Sequence, residues 1–154
     1  MKKYLILLIL LCNAEIVFPH CQVPCGIYDD ALRIMIIQED FKTIDKAITK
    51  IDQLSQKTDS HSLNQINRWI DAKDDHASNI QEVVSDYFLT QRIKKTKDQY
   101  VDQLTILHQI LVSAMKCKQG TDASSVANGL GLVDDFSKIY FDKHGLDHLM
   151  KMTE

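Results

Sequence analysis

The chain has 154 residues and a formal net charge of −3, which suits one ordinary domain large enough to bury its own core. This mildly acidic balance lacks the clustered lysines and arginines typical of a nucleic-acid-binding protein. The densest basic run, RIKKTK at 92–97, falls where two predicted helices join, and we interpret it as a solvated connection. The sequence therefore predicts a single domain with no nucleic-acid partner.

The first 19 residues are typical of a targeting leader. Two lysines at 2–3 precede the apolar run YLILLILL, which is too short to anchor comfortably in a membrane and is apolar on every face, unlike a core helix. Ala14 offers the best small residue for cleavage, whereas Pro19 is a poor one, so a second trimming step is expected. We predict that 1–19 is removed by a processing protease and that no membrane anchor remains.

Two helices are predicted in the first two thirds of the remaining chain. Helix one has Asp29 or Asp30 as its cap. Helix two covers 62–92 and follows a polar segment at 55–60 that is predicted to break the helix. Their apolar residues recur at steps of three and four, which places them on one face of each helix. For helix one these residues are Ile34, Ile37, Phe41, Ile44, Ile48 and Ile51.

Two more helices are predicted towards the C-terminus. Thr96 is expected to cap helix three, which ends near Gly120, and Thr121 to cap helix four, which runs to Gly145. Two glycines at 129–131 weaken the centre of helix four. Four amphipathic helices with short connections predict an all-α four-helix bundle, a fold that by itself says little about function.

The segment HCQVPCGIY, residues 20–28, contains two cysteines, a proline and a glycine, and it lacks the amphipathic pattern of the predicted helices that follow it. Its two cysteines are four apart, Pro24 stiffens the loop between them, and Gly26 frees the following turn, so the segment could wrap a small ion. A strained local disulfide, or a chance pair of cysteines, is the open alternative. A c-type haem site is excluded because Gly26 stands where a histidine is required, and a zinc ribbon would need a second cysteine pair.

The segment 20–28 resembles the H-C-x-x-P-C-G-x-Y signature of the nickel superoxide dismutase family, and SDYF at 85–88 resembles a second piece of that family. The resemblance implies an N-terminal metal-binding hook at 20–28 on a four-helix-bundle domain at 20–154, with hexameric assembly. It also implies that removal of the leader leaves the histidine as the first residue.

The resemblance further implies the chemistry of the site. One nickel ion per chain would be bound by His20, Cys21 and Cys25, with Tyr28 over the open face of the metal and Tyr87 near it. Superoxide would be converted to dioxygen and hydrogen peroxide by cycling between Ni(II) and Ni(III), since thiolate donors stabilise the higher oxidation state. Cys117 stands alone in helix three and is predicted to be a buried hydrophobe.

The sequence departs from the best-known branch of the family at three supporting positions. The glutamate that orients the histidine is replaced by Ile36, or by Met35 if one residue is skipped, and its arginine partner by Ala72. Leu89 stands where that branch has a lysine. The imidazole of the hook is therefore expected to be held differently, and any steering of anions to come from the basic connection, from Arg92, Lys94 or Lys95.

Two other functions compete with this interpretation. The first is an exported helical module that binds nickel or copper, or senses redox state, without turnover. The second is a bundle with a structural disulfide between Cys21 and Cys25, which leaves His20, Gly26 and Tyr28 unexplained. The leader predicts a periplasmic or extracellular protein, and a cytoplasmic protein with a processed leader is the alternative.

Overall fold

A computed structural model describes residues 29–153, which are almost entirely helical. The predicted hook and leader lie outside these residues. The helices are α1 (Asp30–Leu54), α2 (Ser60–Glu82), a π-helical segment (Val83–Arg92), α3 (Tyr100–Gln119), α4 (Ala123–Tyr140) and α5 (Lys143–Thr153). The part of the chain that the structure describes contains no strand, so the all-α prediction is confirmed.

The first four α-helices close into a ring. Helix α1 packs against α2 and α4, and α3 packs against the same two helices, which is the arrangement of a four-helix bundle. Helix α5, which the sequence did not predict, lies against α1. None of the helices at 29–153 combines the length and the apolar character needed to cross a bilayer.

The core is built from the stripe predicted for α1 and from matching stripes on the other helices. Side chains at successive turns of α1 belong to one buried cluster with those of α2, the π-helical segment, α3 and α4, and they leave almost no exposed surface. The largest of these fully buried side chains are Phe41, Phe88, Phe136, Ile34, Ile37, Ile44, Ile80, Leu107 and Ile110.

The predicted second helix divides into two kinds of helix. Asp59 caps α2 by accepting a hydrogen bond from the backbone nitrogen of Ser62, so the helix begins slightly earlier than predicted. From Val83 the bonding pattern widens to that of a π-helix. The wider turn buries the neighbours Tyr87 and Phe88 together, and π-helical turns of this kind often occur at functional sites.

Three predicted boundaries in the C-terminal half are wrong. Helix α3 begins at Tyr100 rather than after Thr96, because residues 95–99 form turns and a bend. Helix α4 is capped by Asp122, whose side chain accepts from the nitrogen of Ser124 at 2.9 Å, and not by Thr121. Asp122, which directly precedes the helix, accepts this hydrogen bond in place of Thr121.

Helix α4 also ends earlier than predicted, at Tyr140. Phe141 is extended, and the side chain of Asp142 accepts a hydrogen bond from the nitrogen of Gly145 at 2.8 Å. Gly145 therefore lies inside α5 instead of ending α4, and the missing Cβ lets the ring of Phe141 lie against it. The break turns the chain back onto α1.

The two central glycines do not break α4, which is continuous. Gly129 faces α1, and a Cβ added there would collide with the ring of Phe41, which is fully buried. Gly131 faces open space. The first glycine therefore permits close approach of two helices, and the second has no contact that requires it.

Candidate functional site

Four of the five predicted site residues, His20, Cys21, Cys25 and Tyr28, lie outside the described residues, so their roles stay predictions. The fifth, Tyr87, is buried in the π-helical segment. The structure describes the end of the bundle to which the predicted hook is covalently joined, because the description begins at residue 29, directly after the hook.

A carboxylate at the first residue of α1 collects hydrogen bonds from three other side chains. The hydroxyl of Tyr87 donates to Oδ1 of Asp30 at 2.5 Å, and the hydroxyl of Tyr140 donates to Oδ2 at 2.8 Å. The guanidinium of Arg92 donates from Nε to Oδ1 at 2.8 Å and from Nη2 to Oδ2 at 2.6 Å. We call these four side chains the Asp30 cluster. Its two-pronged arginine contact is the strongest type of charge-assisted pairing.

Three members of the Asp30 cluster lie at the ends of helical elements, and Tyr87 lies one turn before the end of the π-helical segment. Asp29 caps α1 by accepting from the nitrogen of Leu32 at 3.0 Å, which sets the first turn on which Asp30 stands. Tyr87 and Arg92 are five apart, a single turn of the π-helical segment, so both reach the same carboxylate. Tyr140 is the last residue of α4.

An aromatic layer supports the cluster from the core side. The ring of Phe88 meets Tyr87 and Tyr140 edge to face, with centroids 5.2 and 5.6 Å apart. Phe136 stacks on Tyr140 at 5.0 Å, and the guanidinium of Arg33 lies 5.0 Å from the centroid of Tyr87. Such ring pairs have preferred geometries, so the layer fixes the direction in which the two hydroxyls point.

The hydrogen bonds set the protonation states of the cluster. Burial alone would raise the pKa of Asp30, but hydrogen bonds from Arg92, Tyr87 and Tyr140 outweigh it and hold that pKa below its ordinary value. Burial and the hydrogen bond to Asp30 raise the pKa of Tyr87 and of Tyr140 well above that of a free phenol. Asp30 is therefore ionised and both phenols keep their protons at neutral pH.

A cavity of about 470 Å³ opens beside the cluster. It is lined by three members of the cluster, Asp30, Arg92 and Tyr140, and its other lining residues include Lys94, Lys97 and Asp142. Both lysines are exposed. With three cations against two carboxylates among these residues, the cavity has a positive balance and favours an anion.

The apolar residues that stand where the family has its polar supporting network are partly buried. Met35 and Ile36 are partly buried and pack against the core, as does Leu89, and Ala72 is half-buried on α2. The Asp30 cluster brings hydrogen-bonded polar side chains to the end of the bundle from which the predicted hook leaves. Sequence reasoning had given Asp30 only the role of a possible helix cap and had not singled out Tyr140.

A second polar constellation lies farther along α1. The buried carboxylate of Asp40 contacts Nδ1 of His76 at 2.6 Å and accepts from the amide of Asn79 at 2.7 Å. Within residues 29–153, no group of three or more histidine, cysteine or acidic side chains lies close enough to hold a metal ion.

The sequence pattern of a known family, nickel-containing superoxide dismutase, matches residues 15–144 of this chain. The match covers the predicted hook, the whole Asp30 cluster and the first four helices. No curated protein and no solved structure matches the chain.

Proposed function

Since the chain belongs to the family of nickel-containing superoxide dismutases, we propose that it is an active enzyme that disproportionates superoxide. The observation that carries this proposal is that the family match runs through the metal-binding signature as well as the helical bundle. A protein that kept only the bundle would retain the fold without the donor atoms.

The donor atoms of residues 20–25 fit nickel. Two thiolates, from Cys21 and Cys25, would combine with the nitrogens of His20 and the backbone amide nitrogen of Cys21 to give a mixed nitrogen and sulfur set. Divalent nickel accepts a planar four-coordinate arrangement, and thiolates donate charge more strongly than imidazole or carboxylate oxygen. Bound there, one nickel per chain would supply the one-electron couple between Ni(II) and Ni(III) that the reaction needs.

In the proposed reaction two superoxide ions are consumed in turn. One loses an electron and leaves as dioxygen, and the next gains that electron with two protons and leaves as hydrogen peroxide. The proposed role of Tyr28 is to limit access at the open face of the metal. Tyr87 lies at the same end of the bundle, where its proton remains on the phenol at neutral pH.

Charge at this end of the bundle suits an anionic substrate. Cys25 precedes Asp30 by five residues, and five residues of extended chain reach at most about 18 Å. The length of the chain therefore keeps Cys25 within about 18 Å of Asp30. Asp30 lines the cavity together with Arg92, Lys94 and Lys97. We propose that these cations raise the local concentration of superoxide.

Maturation is part of the proposal. Removal of residues 1–19 by a processing protease would leave an enzyme of residues 20–154 that begins with His20 and carries a free α-amine as a further nitrogen ligand. The leader suggests a periplasmic or extracellular location, with a cytoplasmic one as the alternative, and family resemblance suggests a hexamer.

The proposal is tested by replacing each cysteine of the processed protein separately. We expect Cys21→Ser and Cys25→Ser to lose nickel and superoxide consumption, because both thiolates are ligands. Cys117→Ser is the matched control, since this thiol is buried between helices of the bundle. Nickel content by elemental analysis and superoxide decay by stopped-flow absorbance are the measurements.

Three outcomes separate the candidate functions. Loss of nickel and activity in the two hook variants, with the control intact, supports the enzyme. Nickel binding by the parent without superoxide consumption would support the binding or redox-sensing module. Equal losses from all three replacements would assign the cysteines to folding.

A further inference from the structure

We propose that Asp30 is a positioning residue for the nickel site: its carboxylate, held by Tyr87, Arg92 and Tyr140, anchors the point at which the hook leaves the bundle. This inference rests on the proposed function and concerns a residue outside the ligand set. It gives this chain a hydrogen-bonded network beside the hook, whereas Ile36 and Ala72 are apolar.

The geometry of the carboxylate makes it an anchor. Both oxygens of Asp30 accept hydrogen bonds, at 2.5 and 2.8 Å on Oδ1 and at 2.6 and 2.8 Å on Oδ2. Rotation of the carboxylate, or displacement of the first turn of α1, would break several charge-assisted bonds at once. An aspartate joined to the bundle through a single contact would lack this restraint.

The anchor joins elements that are distant in sequence. Asp30 lies 57 residues before Tyr87 and 110 before Tyr140. The partners come from the π-helical segment and from the end of α4. The first turn of α1 is therefore held by side chains of two other helical elements. Helix ends commonly fray, and this one is held by side chains from outside its own helix.

The position of the anchor links it to the metal. Tyr28 precedes Asp30 by two residues, and Cys25 precedes it by five. A metal site requires its ligands to be held in a narrow range of geometry, and residues that hold ligands from outside the coordination sphere affect metal affinity strongly. Loosening the first turn of α1 would enlarge the range of positions open to the ligands before the metal binds.

The main alternative is that the Asp30 cluster only stabilises the bundle. The test is Asp30→Asn, with Asp40→Asn as the matched control. Asp40 is also a carboxylate of α1 that is bonded to side chains of a neighbouring helix, and it lies ten residues from Asp30, about 15 Å along the helix. Both replacements preserve side-chain shape and remove one charge.

We expect Asp30→Asn to weaken nickel binding to the processed protein by roughly 10- to 100-fold in competition with a chelator. The nickel–thiolate absorption bands should also shift, while the metal-free protein keeps its helical circular dichroism. Tyr140→Phe should weaken binding in the same direction and less than additively with Asp30→Asn, because the tyrosine acts through the same carboxylate. Asp40→Asn should alter the melting temperature and leave nickel affinity unchanged.

Hydrogen exchange of the metal-free proteins provides a second readout. The amides of Leu32 and Arg33, which donate to Asp29, should exchange faster in Asp30→Asn than in Asp40→Asn. If the two variants match in exchange and in nickel affinity, Asp30 is not an anchor for the hook. A parent protein that binds no nickel would overturn the proposed enzyme, and the exchange comparison would still decide whether Asp30 anchors this turn.

Discussion

Tyr140 donates a hydrogen bond to Oδ2 of Asp30 at 2.8 Å, which joins the last residue of α4 to the first residue of α1. The two residues are 110 positions apart. Because the same carboxylate is held by Arg92 and Tyr87, side chains join α1, the π-helical segment and α4 at this end of the bundle. The segment proposed to bind nickel is attached directly beside this junction.

The raised pKa values of Tyr87 and Tyr140 predict how the fold responds to alkaline pH. Their phenols keep the proton more firmly in the folded chain than in the unfolded one, which ionises near pH 10. The stability that they contribute is therefore fully present below about pH 10 and falls as the pH rises further. In an absorbance titration of phenolate, we expect two tyrosines of the processed protein to ionise late or only on unfolding.

Asp30→Asn provides the comparison for this titration. Removal of the negative charge should lower the pKa of both phenols, so the two late tyrosines should ionise earlier than in the parent. Asp40→Asn should leave their titration unchanged. An identical titration in Asp30→Asn would mean that burial, and not the carboxylate, holds the phenolic protons.

The start of the mature chain is predicted to decide nickel binding. The α-amine of His20 is free only after the peptide bond from Pro19 is cut, and one extra residue would move the new amine by about 3.8 Å along the backbone. Chains that begin at His20 should bind nickel and consume superoxide, whereas chains that begin one residue earlier should do both poorly. Intact mass, nickel content and superoxide decay are the measurements, and full activity of the longer chain would exclude the amine as a ligand.

The positive cavity predicts a dependence of rate on charge and salt. Lys94→Glu and Lys97→Glu should each lower kcat/KM for superoxide by roughly two- to tenfold at low ionic strength, because both lysines line the cavity beside Asp30. The deficit should shrink in high salt, where charges are screened. Lys57→Glu makes the same change of net charge just beyond the opposite end of α1, and it should leave kcat/KM nearly unchanged. Equal losses in all three variants would indicate an effect of net charge alone.

The two glycines of α4 predict opposite changes in stability. Gly129→Ala should destabilise the bundle by about 1–3 kcal/mol, because the added methyl group overlaps the buried ring of Phe41. Gly131→Ala should stabilise it by about 0.5–1 kcal/mol, since it faces open space inside a helix. Urea unfolding of the metal-free protein measures both. Similar effects at the two positions would contradict the packing of α4 on α1.

Much of the bundle could be predicted from the sequence because its signals are local. The stripe from Ile34 to Ile51 predicts α1 and its inward face, and the apolar spacing around Leu107 does the same for α3. The errors lie at boundaries, where neighbouring residues compete for one role. Thr121 lost the cap to Asp122, and an aspartate at 142 started a further helix where Gly145 had been taken as an end.

The sequence by itself determined the family, the all-α class and the proposed ligands, because the spacing of the hook residues and the helical period of the apolar residues are both local signals. Only the tertiary structure decided what supports the hook. Asp30, Tyr87, Arg92 and Tyr140 share no period or motif, and they meet because the ends of α1, the π-helical segment and α4 converge at one end of the bundle. The charge and bonding of that carboxylate depend on contacts across 110 positions, which no local pattern records.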